Sequence, residues 1–136
     1  ALTENGPAIA IPAGAYNMTA DINPGKMVMT IADVTIGIIG DAVGGWDNDT
    51  KMIWNFTDRT WNITVNVVKG GIKFRTHNSW NAVNVGYNPA GHSLTNLYQN
   101  NGTKDSDNID DIAPGKYNVK LYLETSPMKA TFTLTN

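Results

Sequence analysis

Apolar and polar residues alternate along most of this chain. In Trp61-Asn62-Ile63-Thr64-Val65-Asn66-Val67 every odd position is apolar and every even one polar. That period of two belongs to a strand with one face in a core and the other in water. Tyr117, Val119, Leu121 and Leu123 alternate with polar neighbours in the same way, and so do Phe132 and Leu134. Val34, Ile36 and Ile38 form another row, as do Met52, Trp54 and Phe56. Ile72-Lys73-Phe74-Arg75 reads as a short strand with the two cations on one face and Ile72 and Phe74 toward the core. No window offers ten residues of helical period, and the abundant Asn, Thr and β-branched residues disfavour helix interiors. Turn signals recur at Asn23-Pro24-Gly25, Gly44-Gly45, Lys69-Gly70-Gly71, Asn88-Pro89 and Pro114-Gly115. Short strands at this spacing predict an all-β antiparallel sandwich.

The pattern repeats once. Ile11-Pro12-Ala13-Gly14-Ala15-Tyr16-Asn17-Met18 matches Ile112-Ala113-Pro114-Gly115-Lys116-Tyr117-Asn118-Val119. After a two-residue length difference in the turn, Met27, Met29 and Ile31 match Ala130, Phe132 and Leu134. Each copy predicts a Gly-Tyr strand, a tight turn and a returning strand. Residues 1–136 are read as one sandwich domain, with 33–136 its core module and 8–31 an N-terminal hairpin. That hairpin either ends a preceding unit or packs in the same sandwich. From about Gly86 to Asp111 the composition turns to Asn, Asp, Gly, Ser and Thr, and the expectation is a long loop anchored by Leu94, Leu97 and Tyr98.

Composition narrows the function. The 136 residues are 41% hydrophobic and 16% charged, too apolar for a disordered chain. A formal net charge of −2 gives no basic footprint, so no nucleic-acid partner is expected. No apolar run approaches the ~20 residues of a membrane-spanning helix, so no spanning segment is expected. The start, Ala1-Leu2-Thr3-Glu4, lacks the basic and apolar regions of a signal peptide and reads as a processed or trimmed end. The absence of cysteine excludes disulfides, thiolate metal sites and a thiol nucleophile.

Candidate chemistry is sparse. His77 and His92 stand in no triad motif, and the carboxylates at Asp47, Asp49, Asp105, Asp107, Asp110 and Asp111 show no glycosidase pairing. No catalytic residue is assigned, and the expectation is a protein that is not an enzyme. Asp47-Asn48-Asp49 and Asp105-Ser106-Asp107-Asn108 resemble calcium loops but lack the EF-hand Gly and terminal Glu. No metal ligand and no cofactor are assigned, and a calcium-dependent adhesin-like domain is kept as a third reading. The four tryptophans say more. Trp54 and Trp61 sit in apolar rows and read as core. Trp46 follows Gly44-Gly45 and Trp80 follows His77-Asn78-Ser79, both in what read as polar loops. An exposed indole stacks on the C–H face of a sugar ring, while neighbouring polar groups take its hydroxyls. Asp47, Lys73, Arg75, Asn78, Asn81 and Asn84 supply such groups nearby. The other reading is that Trp46 or Trp80 caps an end of the sandwich.

Ile39-Gly40-Asp41-Ala42-Val43-Gly44-Gly45-Trp46-Asp47, Met52, Trp61, Gly70-Gly71-Ile72-Lys73-Phe74-Arg75, Asn78-Ser79-Trp80 and Pro114-Gly115-Lys116-Tyr117 form an ordered set. Together, across about residues 36–134, they resemble the SusE/SusF family of bacterial surface starch-binding lipoproteins. The resemblance implies an immunoglobulin-like β-sandwich and a non-catalytic carbohydrate-binding role. It implies a polysaccharide partner, α-glucan favoured, and association with an outer-membrane glycan transporter complex. The location it implies is the outer membrane at the cell surface, lipid-anchored in the precursor, with the periplasm as alternative. The family's stacking Trp after Gly-Gly falls on Trp46, its basic strand on Lys73 and Arg75, and its later Trp on Trp80. The segment between Trp80 and Pro114 follows no family pattern. The competing expectation is a structural or protein-interaction domain of an outer-membrane lipoprotein with no glycan binding of its own.

Overall fold

The computed structural model describes residues 11, 14–25 and 28–136. In chain order the strands are β1 (Tyr16–Asp21), β2 (Val28–Asp33), β3 (Ile36–Gly40), β4 (Gly45–Lys51), β5 (Ile53–Asn55) and β6 (Thr60–Val67). There follow β7 (Lys73–Thr76), β8 (Asn84–Tyr87), β9 (Leu97–Gln99), β10 (Gly115–Tyr122) and β11 (Lys129–Leu134). One short 3₁₀ turn, Asp41–Val43, lies between β3 and β4. The chain forms two compact units, one ending at Val34 and one spanning Thr35–Asn136.

In the first unit β1 and β2 form an antiparallel hairpin. Its counterpart in the repeat, β10–β11, is also an antiparallel hairpin. The pairs that close the two turns, Asp21–Val28 and Tyr122–Lys129, stand at the same spacing. The two copies therefore align without a gap. Met29 corresponds to Ala130 and Ile31 to Phe132, which corrects the two-residue length difference and the match to Leu134. Pro12, Ala13 and Met27 of the repeat, and residues 8–10 of the N-terminal hairpin, lie outside the described residues.

The second unit is a β-sandwich of two antiparallel sheets. One has the order β11-β10-β6-β5, the other β4-β3-β7-β8-β9. Alternation explains the first. β6 and β10 pair over their whole length, placing Trp61, Ile63, Val65 and Val67 on the same face as Leu121, Val119 and Tyr117. The inward rows meet the second sheet's Ile36, Ile38, Phe74 and Val85 in a tightly closed core. Only about 10 Å³ of free space remains where Ile36, Phe74, Val85 and Leu121 converge. Strand-end positions depart from the sequence pattern. Ile63 and Val65 are half-buried because β5 ends opposite Asn62 and leaves the far part of β6 at the sheet edge. Phe56 lies beyond β5, since the Asn55 carboxamide accepts from the backbone of Thr57 and Asp58 and turns the chain there. Leu134, the last residue of edge strand β11, is exposed.

The expected loop from Gly86 to Asp111 is in fact partly sheet. It contains the end of β8 and all of β9. Its last part is pinned by isolated bridges, Tyr87 to Asp107 and Ile72 to Ile109. Ile109 is buried on the ladder beside Ile72, and Leu97 is buried in β9. Among the described residues, no helix is long and apolar enough to cross a membrane.

Candidate functional site

The site is built on the outward face of β3, β4 and β7. Gly44 and Gly45, both at φ near +120°, turn the chain into β4 through a conformation that side chains disfavour. β4 is then bulged against β3. Ile38 pairs with Thr50 and Gly40 with Gly45, so two steps along β3 face five along β4. Bulges re-aim side chains, and the surplus residues here are Trp46 to Asp49. Trp46 thus sits on an irregular strand, not in a loop.

The β7–β8 connection supplies the second wall. His77 and Asn78 both have positive φ, and Ser79 N–H donates to Thr76 C=O at 3.1 Å. Two left-handed central residues make a type I′-like reversal, and asparagine tolerates that region better than most residues. The Asn78 side chain then joins the two walls. Its Oδ1 accepts from Asp49 N–H at 2.9 Å and from Arg75 Nη2 at 2.6 Å, and its Nδ2 donates to Asn48 Oδ1 at 3.2 Å. The carboxamide takes the place of a ladder partner for the bulged strand.

Lys73 and Arg75 share the outward face, as the spacing predicts, yet both are buried. Arg75 is 3% exposed. Its guanidinium donates to Asp47 C=O at 3.2 Å and faces the Asp49 carboxylate at 3.4 Å. The Asp49 side chain, 6% exposed, lies across Gly37, where any β-carbon would overlap its carboxylate. Above this pair the Arg75 guanidinium carbon sits 4.5 Å from the centre of a Trp80 ring, in cation–π range. Trp80 remains 43% exposed. Trp46 meets it with ring centres 6.0 Å apart and planes tilted by 38°. The arrangement is a tilted indole pair braced from beneath by one arginine, whose charge is offset by one buried carboxylate.

Beside Trp80 lies an open groove of about 290 Å³, lined also by Asn84, Asn100, Thr103, Lys104 and Asp105. Asn100, Lys104 and Asp105 belong to the segment where the sequence offered no pattern. They arrive there because Asn100 Oδ1 accepts from Asn84 N–H at 2.9 Å and Lys73 Nζ contacts Asp105 at 3.3 Å. Ser106 Oγ, itself buried, donates to Asn84 Oδ1 at 3.1 Å. The structure brings Trp46, Asp47, Arg75, Asn78 and Trp80 together directly, and Lys73 is linked to the groove only through Asp105. Asn81 is exposed in the same turn.

The acid-rich segments are engaged within the chain. Asp49 faces Arg75, Asp105 faces Lys73, and Asp107 meets His92 at 2.9 Å. His92 stacks on Tyr87 at 4.8 Å between ring centres. The Tyr87 hydroxyl donates to Asp111. Burial, then the Asp111 hydrogen bond and the charges of Asp111 and Asp110, push the Tyr87 pKa well up. Among the described residues no group of three or more His, Cys, Asp or Glu is arranged to hold a metal ion. Trp54 and Trp61 pack at 5.3 Å on the inner face of the other sheet, away from the Trp46–Trp80 pair.

Comparison with family models, curated proteins and solved structures returns no match to this chain.

Proposed function

We propose that the second unit is a non-catalytic carbohydrate-binding module that holds a polysaccharide, α-glucan favoured, on the Trp46–Trp80 pair. The observation that carries the reading is this pair of adjacent, tilted indoles, fixed by the buried Arg75 and bordered by a groove of amides and hydroxyls. A braced indole loses little freedom on stacking against a sugar ring, which lowers the ordering cost of binding a flexible chain. In this reading Arg75 and Asn78 position the platform, while Trp46, Trp80, Asn100, Lys104 and the Asp47 carboxylate reach the ligand. The resemblance of its motifs to those of SusE/SusF proteins supports an immunoglobulin-like module of a bacterial surface glycan-uptake system. In this reading the module works at the outer membrane beside a transporter complex.

The test is retention on insoluble starch and migration in affinity gels containing different polysaccharides. Trp46→Ala with Trp80→Ala should abolish retention while the protein stays folded, its melting temperature falling by less than that of Arg75→Met because the Arg75–Asp49 pair is kept. Normal retention by the double variant would refute the platform. Failure of the unsubstituted protein to bind any polysaccharide, together with capture of a protein partner, would favour the interaction-domain reading instead.

A further inference from the structure

A second surface lies on the opposite sheet. Register puts Ile53, Asn55, Asn62, Thr64, Asn118 and Lys120 on the outward side of β5, β6 and β10. These residues line an open groove of about 770 Å³, closed at one end by Phe56 and Thr57 of the β5–β6 turn. Amides and hydroxyls run along it beside Trp54, Ile63 and Val119. Thr64 Oγ1 donates to Asn118 Oδ1 at 2.7 Å, and Asn62 Nδ2 is held by Thr60 at 2.8 Å. Asn118 Nδ2 finds no acceptor among the described residues and is free to donate outward. Its walls are apolar: Ile53 is 76% and Phe56 59% exposed. Trp54 meets Phe56 edge-on at 6.1 Å and steadies that ring.

We infer that this groove is a second binding surface for a neutral oligosaccharide chain. The one cation on the floor, Lys120, is paired with Asp58, and the pairing raises the lysine's pKa and lowers the aspartate's. The groove therefore offers no free charge to an ionic ligand. Hydrogen-bonding groups spaced roughly 5 Å across strands and 7 Å along them, beside one exposed ring and one exposed aliphatic chain, match alternating hydroxyls and C–H faces. Trp54, Ile63 and Val119 line the groove among the amides, so hydrogen-bonding and apolar groups lie side by side along it, as the hydroxyls and C–H faces of a sugar chain require. This surface does not depend on the tryptophan pair. With both occupied, one polysaccharide strand or two would be held on opposite sheets, which raises retention by effective concentration.

The experiment is a titration of the isotope-labelled full chain with maltoheptaose, cellohexaose, xylohexaose and mannohexaose, followed by amide and indole NMR signals. At least one sugar should shift the Asn62 and Asn118 side-chain amides and the backbone of residues 53–57. Those shifts should persist in the Trp46→Ala, Trp80→Ala double variant. Phe56→Ala should weaken the groove Kd about three- to tenfold and leave the indole isotherm unchanged. The inference falls if none of the four sugars moves the groove signals, or if their shifts disappear with the double tryptophan substitution. The indole signals of Trp46 and Trp80 report the platform separately, so failure of either surface is distinguishable from failure of the other.

Discussion

Arg75→Met separates bracing from ligand contact. Methionine keeps much of the arginine stem but removes the guanidinium. The bonds to Asn78 and Asp47 C=O are lost, as is the contact with the Trp80 ring. The larger effect falls on Asp49, whose carboxylate is left buried without its counter-charge. Breaking a buried ion pair from one side costs about 3–5 kcal/mol, and the cation–π contact is worth about 0.5–2 kcal/mol. The two share one guanidinium and do not add, so the net loss is set at about 3–5 kcal/mol. For a unit of this size that lowers Tm by roughly 12–25 °C, measured by circular dichroism or calorimetry. Most of that cost is the stranded charge, so adding Asp49→Asn should recover at least half of it. A fall of under 3 °C for Arg75→Met would refute the brace. So would a double variant no more stable than the single one.

Gly37→Ala should destabilise by about 1–3 kcal/mol, because the new methyl overlaps the Asp49 carboxylate. The same substitution at an unobstructed strand position would be neutral or stabilising. Urea denaturation checks it, and a variant as stable as the unsubstituted protein would show that Asp49 need not cross Gly37. Tyr87→Phe should lower stability at pH 7 by about 1 kcal/mol through loss of the bond to Asp111. The native Tyr87 pKa is raised, so its contribution is complete below the ordinary tyrosine pKa of about 10 and declines as pH rises above it. The difference between the two proteins should therefore narrow at pH 10.5, and an equal difference at both pH values would contradict the assignment.

The sheets were legible in the sequence and the site only in part, for one physical reason. Alternation reports which face a side chain takes, because strand geometry is local. It does not report what covers that face. Lys73 and Arg75 were correctly placed together, but their burial comes from Asp49 and Asp105, distant in sequence, and from Asn78 and Trp80, which the β7–β8 turn folds back over Arg75. The bulge in β4 was invisible because Gly45-Trp46-Asp47-Asn48-Asp49-Thr50-Lys51 shows no period, and Trp46 read as a loop residue for that reason. The segment from Gly86 to Asp111 failed similarly. It is held by one three-pair ladder, β8 to β9, and otherwise by bridges of a single residue pair, and neither is long enough to leave a periodic trace. One signal was available. Gly37 interrupts the apolar row Ile36–Ile39 on the polar side, where a solvated strand face would carry a polar side chain. A bare backbone there means that something else approaches closely. In this fold that is the Asp49 carboxylate, the counter-charge to the arginine beneath Trp80. The geometry of the indole pair is thus set in part by a glycine that pairs with Arg75 on the neighbouring strand, and Gly37→Ala should disturb the platform without replacing a residue that lines it.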